Sequence, residues 1–451
     1  MQFSNYGSQA VLAAFDGGEI TSDAGVLLLR ERARQIQLFD RMAGCFSDHR
    51  DQNRVAHDLP TLLAQRVCAI ALGYEDIVDH DTLRFDPAFK LLAFSNVNGS
   101  KAPAPLAGKS TLNRLEQSNE TGKHRYHRIA PKLKQLSDLF VDLFLDDFGS
   151  PPEHITLDID ATDVKAHGNQ ENSFFNGYYE HDCFMPLYVF CGHHLLSAQL
   201  RPGNIDGAQG ARNVIRRIIR TIRKRWPDVK ILVRGDSGFV RENLLRYCEG
   251  NRVDYVFGLA RNPRLLRKAQ KVRGKAAIAL LKTGEAVRAY GDFHHMTQSK
   301  SWARPRRVIA KVEHRPGKSQ RCRFLVTSLP GQKFTPKELY EDTYCPRGDM
   351  ENRIKDCQLD LFGDRMSAHD YKANQLRFLL AGFAYVLIDG IRRTALNNTK
   401  LAKAVPGTIR MKLFKIGARV INSVRRIKLS LPDACPYKDI FFKAHAALVP
   451  I

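Results

Sequence analysis

Two acidic residues near the end of an alternating segment are the first positions in this sequence that could do chemistry. In His154–Asp163, apolar and polar residues alternate with the period of a β-strand that has one apolar face. Asp158 and Asp160 share the polar face, and Asp160 lies closer to the end of the strand. A carboxylate buried there is costly unless a positive charge compensates it, and a metal ion does so where further carboxylates converge. The alternative is a strand end that water solvates. The metal hypothesis requires that other segments supply the additional carboxylates.

Another acid follows a second apolar strand. Lys230–Arg234 is predicted to be a short buried strand, and Asp236 comes soon after it in a turn that contains two glycines. The Gly-Asp-Ser-Gly run also admits a serine hydrolase with Ser237 as the nucleophile. However, it does not fit the G-x-S-x-G pattern, and no strand-to-helix elbow with a following histidine is evident.

The third acid should lie on a helix that flanks the sheet. The segment 344–355 offers Glu351, with Lys355 one helical turn further along the same face. A surface Glu–Lys pair is the alternative interpretation of this segment. A transition-metal site built from histidines is a further alternative, although their separation across turns favours solvent-facing or structural roles; these histidines are His167, His181, His193 and His194.

The charge of the chain favours a polyanionic partner. Its 451 residues contain 70 Lys and Arg against 47 Asp and Glu, a formal net charge of +23. Residues 391–451 contain thirteen basic residues and only Asp433 and Asp439 as acids. Arginines also crowd one predicted helix, 207–226, where Arg216 and Arg220 are candidate phosphate contacts. A basic protein that binds no polyanion is the alternative.

The order of predicted elements indicates an α/β protein. After a mainly helical region, three strands follow in succession, and then helix, strand, helix and strand, up to about residue 260. This order predicts an α/β layer with an antiparallel hairpin at one edge. Residues 263–335 contain further β-like pieces, and a helical pattern resumes at Pro336.

The acidic segments resemble the DDE transposases of bacterial insertion sequences, and most closely their IS-thirteen-eighty group. Asp160 with the following Ala-Thr is similar to the family's first-aspartate motif, and Arg234–Phe239 resembles the second. Tyr344, Arg347 and Glu351 match the tyrosine–arginine–glutamate spacing around the third acid.

The resemblance covers most of the chain, including Lys109–Arg114 in the N-terminal part. At one position the chain departs from the pattern of the family. Related groups place a lysine seven residues after the glutamate, where this chain has Gln358, so that lysine's phosphate contact is in doubt and Lys355 is a candidate substitute. Basic residues of the N-terminal helices could read DNA, or those helices could serve packing or dimerisation; the residues are Lys109, Arg114, Lys123 and Arg125.

The resemblance implies a ribonuclease H-like catalytic core interrupted by a β-rich insertion, with a mainly helical N-terminal domain and a basic C-terminal segment. The predicted segments are 1–150 for DNA binding or dimerisation, 151–262 and 336–395 for the catalytic domain, 263–335 for the insertion and 396–451 for the basic segment. The spacing agrees, because the longer gap between acids, from Asp236 to Glu351, contains the β-rich block.

The implied chemistry is phosphodiester cleavage and transfer. Three carboxylates, Asp160, Asp236 and Glu351, can hold two Mg²⁺ ions about 3.5–4 Å apart, with Mn²⁺ as a substitute. Asp158 stays the rival of Asp160. The predicted function is therefore an insertion-sequence transposase that cuts element ends and joins them to target DNA. A metal-dependent nuclease without strand transfer and a non-catalytic DNA-binding protein are the alternatives.

The expected partners are double-stranded DNA, as terminal inverted repeats and target, and a second copy of the chain on paired ends. The sequence has no apolar run long enough for a membrane span, no signal-peptide pattern and no CxxC among its nine cysteines, which predicts a protein of a reducing cytoplasm. The resemblance implies that this cytoplasm is bacterial and that the protein is associated with the nucleoid.

Trp302 and Arg304 are predicted DNA contacts of the inserted block. An exposed aromatic beside arginines suits stacking on an unstacked base while the cations hold flanking phosphates. Related transposases use an aromatic of their inserted domain in this way, which agrees with the prediction. The alternative is that Trp302 belongs to the core of the block.

Overall fold

The chain divides into two compact units. The structure, a computed structural model, describes residues 1–92, 104–117, 126–297, 301–423 and 425–449. One unit comprises residues 1–136 and 356–451, and the other comprises residues 137–355. This division cuts across the five predicted segments, because residues 356–395 cluster with the N-terminal helices and the predicted insertion clusters with the acidic strands.

In chain order the strands are β1 (Gln2–Tyr6), β2 (Gln9–Leu12), β3 (Glu19–Thr21), β4 (Phe46–Asp48), β5 (Ile129–Pro131), β6 (His154–Ala161), β7 (Val164–Lys165), β8 (Phe174–Asn176), β9 (His181–Phe184), β10 (Leu187–Cys191), β11 (His194–Gln199), β12 (Lys230–Gly235), β13 (Val253–Leu259), β14 (Val287–His295), β15 (Arg306–His314), β16 (Arg321–Thr327), β17 (Ala418–Asn422) and β18 (Ile427–Ser430). The longest strands, β6, β14 and β15, lie in the unit of residues 137–355.

The helices range from single turns to the 25 residues of the longest one. They are α1 (Val26–Gln35), α2 (Leu38–Gly44), α3 (Leu59–Leu72), α4 (His80–Leu83), α5 (Lys109–Glu116), α6 (Leu133–Asp146), α7 (Ala211–Arg225), α8 (Glu242–Gly250), α9 (Pro263–Lys268), α10 (Gln270–Thr283), α11 (Pro336–Glu338), α12 (Gly348–Lys355), α13 (Tyr371–Ala395), α14 (Pro406–Ile409) and α15 (Lys438–Leu448). None of the described helices is both long and apolar enough to cross a membrane.

An eight-stranded mixed sheet organises the unit of residues 137–355. Its order is β11-β10-β6-β12-β13-β16-β15-β14. Strands β6, β10 and β11 form an antiparallel meander, whereas β12 is parallel to β6 and β13 is parallel to β12. Helices α7 and α8 make the connections into β12 and β13. The predicted α/β layer with an antiparallel hairpin at its edge is confirmed.

Helix α7 shows why the sequence folds in this way. Its apolar residues recur every three or four positions and are buried, while most of its arginines lie on the other side. The buried residues are Ala211, Val214, Ile215, Ile218, Ile219 and Ile222, and they join the same core as β6 and β12.

Residues 263–335 do not form a body of their own. The block begins with two helices, α9 and α10, and its three strands continue the main sheet because β16 pairs antiparallel with β13. The β-rich prediction holds for β14, β15 and β16 but is wrong for residues 263–283. The sequence of α10 has only a weak helical alternation of apolar and polar residues, so it does not indicate a helix by itself. The helix packs against β14 and β15, and its residues Val272 and Ala276 are buried.

The other unit is mainly helical, with α13 packed against α3. Helix α3 follows its sequence signals closely: Asp58 accepts a hydrogen bond from the Thr61 amide, and Gly73 ends the helix at φ 93°. The N-terminus is extended before the first helix, because β1 and β2 form a hairpin. Two predicted basic contacts of this region, Lys123 and Arg125, lie outside the described residues.

The C-terminal segment is integrated into its unit. Strand β17 pairs with β3 near the N-terminus, and Phe414, Ile416 and Val420 are buried, whereas Ile421 is exposed. The segment that we predicted to be basic, 396–451, thus also contributes apolar side chains to the core of its unit. Removal of the segment would expose them.

Candidate active site

The parallel pairing of β6 with β12 brings two of the predicted acids to one edge of the sheet. Lys230 lies opposite His154, and Arg234 lies opposite Asp158. Asp160 is the penultimate residue of β6, and Asp236 follows the last residue of β12. The carboxyl ends of adjacent parallel strands meet at the same edge, so the pairing explains why acids 76 residues apart become neighbours.

The turn after β12 is tightly packed. The Asp236 carboxylate accepts a hydrogen bond from the Gly238 amide at 2.9 Å. A Cβ on Gly258, in the next strand β13, would lie 2.8 Å from the Tyr344 hydroxyl and 3.1 Å from the Ser237 amide nitrogen. Only a glycine at this position lets the Asp236 turn and Tyr344 approach β13 so closely.

The helical segment before and within α12 supplies the third acid and a cation. Arg347 Nη2 donates a hydrogen bond to Asp160 Oδ2 at 2.8 Å, and Arg347 Nη1 lies 3.6 Å from Glu351 Oε1. The Arg347 side chain is 13% exposed, whereas that of Glu351 is 58% exposed. The predicted tyrosine–arginine–glutamate spacing thus places Arg347 between two of the three acids.

Charge in this site is poorly screened. Burial raises the pKa of Asp160 to about 6, and Asp236 and Glu351 raise it as well, while Arg347 opposes them. Burial lowers the pKa of the Arg347 guanidinium, but the nearby anions, Asp160 first, outweigh it and the net shift is upward. Arg347 Nε is buried without a hydrogen-bond partner. The guanidinium is therefore held by charge more than by a complete set of hydrogen bonds.

The structure separates Asp158 from its rival Asp160. Asp158 is 2% exposed and accepts two hydrogen bonds from Arg234, from Nε at 2.6 Å and from Nη2 at 2.7 Å. Arg234 Nη1 also donates to the Thr343 carbonyl at 2.6 Å. Burial raises the pKa of Asp158 and Arg234 opposes that rise. Both oxygens of Asp158 are thus engaged by protein, and Asp160 is the acid that faces Arg347.

The remaining residues of the predicted motif differ in exposure. Tyr344 is half-buried, and burial raises the pKa of its phenol. Lys355, at the end of α12, is exposed. Gln358 belongs to the other compact unit, which begins again at residue 356.

The three acids are not placed as ligands of one ion. Within the described ranges, no group of three or more His, Cys, Asp or Glu side chains is close enough to hold a metal. The donor set nevertheless suits a hard divalent cation, because all three members are carboxylates. Burial is the main cause of the raised pKa of Asp160, and a cation bound near this carboxylate would favour its charged form.

Trp302 does not fulfil its predicted role in this structure. It is 5% exposed and belongs to the main core, with the Arg306 guanidinium 5.3 Å from the ring centroid. Arg306 is itself held by Glu242 and Glu249, so the basic neighbours that suggested an exposed site are neutralised by α8. The stacking prediction is corrected in favour of the core alternative. Arg304 remains 58% exposed and pairs with Glu249 at 3.0 Å.

Arg216 and Arg220 of α7 remain available. Arg220 is exposed, Arg216 is half-buried, and neither forms an ion pair with a described residue. By contrast, Arg217 pairs with Asp138 at 3.2 Å. The four histidines are dispersed: His181 pairs with Asp163 and His194 with Asp147, whereas His167 and His193 are exposed.

The chain was also compared with known protein families and with curated proteins. The family model described as transposase DDE domain group 1 matches residues 3–451. A comparison with curated proteins finds no match.

Proposed function

The chain belongs to the transposase DDE domain group 1 family, and we propose that it is the DNA transposase of an insertion sequence of the IS-thirteen-eighty group. The observation that carries the proposal is the meeting of Asp160 and Asp236 at one sheet edge, with Glu351 joined to Asp160 through Arg347. In this proposal the enzyme cuts the ends of its element and joins them to target DNA. It does so by phosphodiester hydrolysis and transesterification.

A ribonuclease H-like core is part of the proposal. The five strands β11-β10-β6-β12-β13, a meander continued by two parallel strands, support it. The two aspartates at the carboxyl edge of β6 and β12 support it further. Strands β16, β15 and β14 then extend the core's sheet as the inserted block.

Asp160, Asp236 and Glu351 would hold two Mg²⁺ ions, or Mn²⁺ in their place. When bound, the ions supply activation of a water or a 3′-hydroxyl and stabilisation of the leaving oxygen. Asp160 must be deprotonated to act as a ligand, and Arg347 competes with a metal ion for its Oδ2 atom. The unpartnered Nε of Arg347 supports a guanidinium that changes partner.

Arg347 is suited to receive a DNA phosphate when it leaves Asp160. A guanidinium forms paired hydrogen bonds to phosphate oxygens, and the helical turn just before α12 positions this one beside the carboxylates. Tyr344 and the exposed Lys355 are further proposed contacts on the same helical segment. Arg304, Arg216 and Arg220 are proposed contacts elsewhere on duplex DNA, and a homodimer on paired ends in the bacterial cytoplasm completes the proposal.

A cleavage and strand-transfer assay tests the proposed function. The full chain is incubated with Mg²⁺ and duplexes that carry the DNA flanking its gene, and both cut and joined products are measured. Asp160→Ala, Asp236→Ala and Glu351→Ala should each abolish cleavage and leave DNA binding largely intact. Asp349→Ala is the matched control, since Asp349 is an exposed acid on the same helix as Glu351.

The outcomes separate the alternatives. Cut products that are never joined would identify a nuclease without strand transfer. Binding without any cut product, in the presence of Mg²⁺ or Mn²⁺, would identify a DNA-binding protein without catalysis. Full activity of Asp160→Ala would overturn the assignment of the site.

A further inference from the structure

A hairpin beside the first acid carries exposed aromatic side chains. The aromatic hairpin, residues 174–181, joins β8 to β9 in a small three-stranded sheet. Phe175 is 64% exposed and Tyr178 is 86% exposed, and Phe174 is 40% exposed. Side chains of this size are usually buried, so several exposed together mark a surface for binding.

The base of the aromatic hairpin is firmly anchored. The Asn176 side chain donates a hydrogen bond to the Gly203 carbonyl at 2.8 Å, and the Gly203 amide donates to the Asn172 carbonyl at 3.2 Å. A Cβ on Gly203 would lie 2.0 Å from the Cys183 carbonyl oxygen, which shows how closely the two segments pack. The exposed rings therefore project from a fixed support.

The aromatic hairpin lies at the catalytic edge of the sheet. It is inserted between the end of β6 and the start of β10, and β10 places Tyr188 opposite Asp160. His181 of the hairpin contacts Asp163, three residues after Asp160, at 2.9 Å. The Tyr178 and Tyr179 rings are 4.9 Å apart, and Tyr179 is 6.2 Å from the His181 ring. A chain of rings thus leads from solvent towards the acids.

We propose that the aromatic hairpin stacks on unpaired bases of the DNA segment that Asp160 and its partners cut. This inference rests on the proposed function, because it takes the substrate at that edge to be DNA. Stacking is the interaction that fits, since flat aromatic faces accept any base. The hairpin contains Glu180 and is followed by Asp182, and it contains no Lys or Arg, so it is suited to bases and not to phosphates.

Such a contact fills the role that the buried Trp302 cannot fill. Where bases next to a cut site leave the duplex, a ring that receives an unstacked base stabilises that state. Phe175 and Tyr178 are the most exposed rings and would make the contact. Tyr179, half-buried between Tyr178 and His181, would support Tyr178.

The test compares two DNA probes without cleavage. One is a blunt duplex of about 30 base pairs, and the other has the same duplex with about four unpaired nucleotides at one end, one of them 2-aminopurine. Affinities of the full chain are measured in Ca²⁺, together with the quenching of 2-aminopurine fluorescence. We expect tighter binding of the probe with unpaired nucleotides, and quenching upon binding.

In the double variant Phe175→Ala and Tyr178→Ala, the ratio of the affinity for the probe with unpaired nucleotides to that for the blunt duplex should fall by roughly fivefold or more. The quenching should disappear, and the affinity for the blunt duplex should stay within about twofold of the wild type. The double variant Phe175→Tyr and Tyr178→Phe keeps both rings and should behave as the wild type. Tyr6→Ala removes an aromatic that is 81% exposed in the other unit and is the control for loss of an exposed ring.

Salt provides an independent check. The preference for unpaired nucleotides should stay constant between about 50 and 200 mM salt while both affinities fall, because stacking releases few counterions. An unchanged preference in the alanine double variant would overturn the inference. A change of oligomeric mass in that variant with the preference intact would assign the hairpin to a second copy of the chain and would also overturn it.

The same experiment distinguishes failure of the inference from failure of the proposed function. Asp160→Ala should retain the preference, because stacking does not require catalysis. A preference that depends on Phe175 and Tyr178 in a protein that never cuts DNA would reject the transposase proposal alone. Metal-dependent cutting by a protein without the preference would reject the hairpin inference alone.

Discussion

Arg347 donates a hydrogen bond to the carboxylate of Asp160, across 187 residues of sequence, at 2.8 Å. A cation from the turn just before α12 thus contacts the acid at the end of β6. Because burial and two neighbouring carboxylates raise the pKa of Asp160 to about 6, this hydrogen bond only partly offsets the cost of its charge. The folded chain therefore favours the neutral form of Asp160 more than water does.

This relationship predicts a pH-dependent stability. The pKa of Asp160 is about 6 in the folded chain and 3.8 as an ordinary aspartate, so the folded state binds more protons between these values. The free energy of unfolding should therefore fall as pH rises from about 4 to about 6, by about 2–3 kcal/mol from this residue. Asp160→Asn should remove that fall and raise the melting temperature at pH 7.

Thermal unfolding in the presence of a chelator, at intervals between pH 4 and pH 8, measures the effect. Asp349→Asn is the control, because Asp349 is exposed and should leave the pH dependence unchanged. If the melting temperatures of the wild type and of Asp160→Asn changed equally with pH, the pKa of Asp160 would not be raised in the folded chain.

The buried pair of Asp158 and Arg234 predicts a different phenotype for the neighbouring acid. Asp158→Ala leaves the Arg234 guanidinium buried without its anion, which should destabilise the fold by about 3–5 kcal/mol. The variant should therefore lose activity through loss of structure, whereas Asp160→Ala should lose activity with its structure intact. Circular dichroism and chemical denaturation distinguish the two.

A second substitution sharpens that prediction. Asp158→Leu together with Arg234→Leu removes both charges and should recover part of the stability lost in Asp158→Ala. If Asp158→Ala were as stable as the wild type but inactive, Asp158 would be the catalytic acid after all.

Gly258 predicts a link between packing and activity. An alanine Cβ there meets the Tyr344 hydroxyl and the backbone of the Asp236 turn, so Gly258→Ala must displace one of them. We expect a loss of about 1–3 kcal/mol in stability and a drop in cleavage of at least about tenfold. Gly250→Ala is the matched control, because a Cβ at Gly250 meets nothing within 4 Å. Equal cleavage by the two variants would contradict the prediction.

The periodicity of the strands predicts which acidic residues lie near the site. Alternation in β6 put Asp158 and Asp160 on one face, and the turn after β12 marked Asp236. Alternation cannot choose between two acids on the same face. That choice depends on the register of β12, which places Arg234 opposite Asp158, and register is a tertiary property.

Other features depended on distant partners that sequence patterns do not show. Trp302 among basic residues suggested exposure, but Glu242 and Glu249 of α8 neutralise Arg306 and let the block close over the ring. The sequence does not predict the aromatic hairpin, because its residues lack the alternation of apolar and polar side chains that indicates a strand. The nearness of Phe175 and Tyr178 to the first acid's motif was the one signal that the sequence offered.

The arginines of α7 predict a salt-dependent contact with duplex DNA. Each phosphate neutralised by a cation contributes about 0.9 to the slope of log affinity against log salt, so Arg216→Gln with Arg220→Gln should lower that slope by about 1.8. The binding of a duplex of arbitrary sequence is measured between about 50 and 200 mM salt. Arg217→Gln is the control on the same helix, because Arg217 already pairs with Asp138 and should leave the slope unchanged. A double variant with the wild-type slope would place the phosphate contacts on another surface.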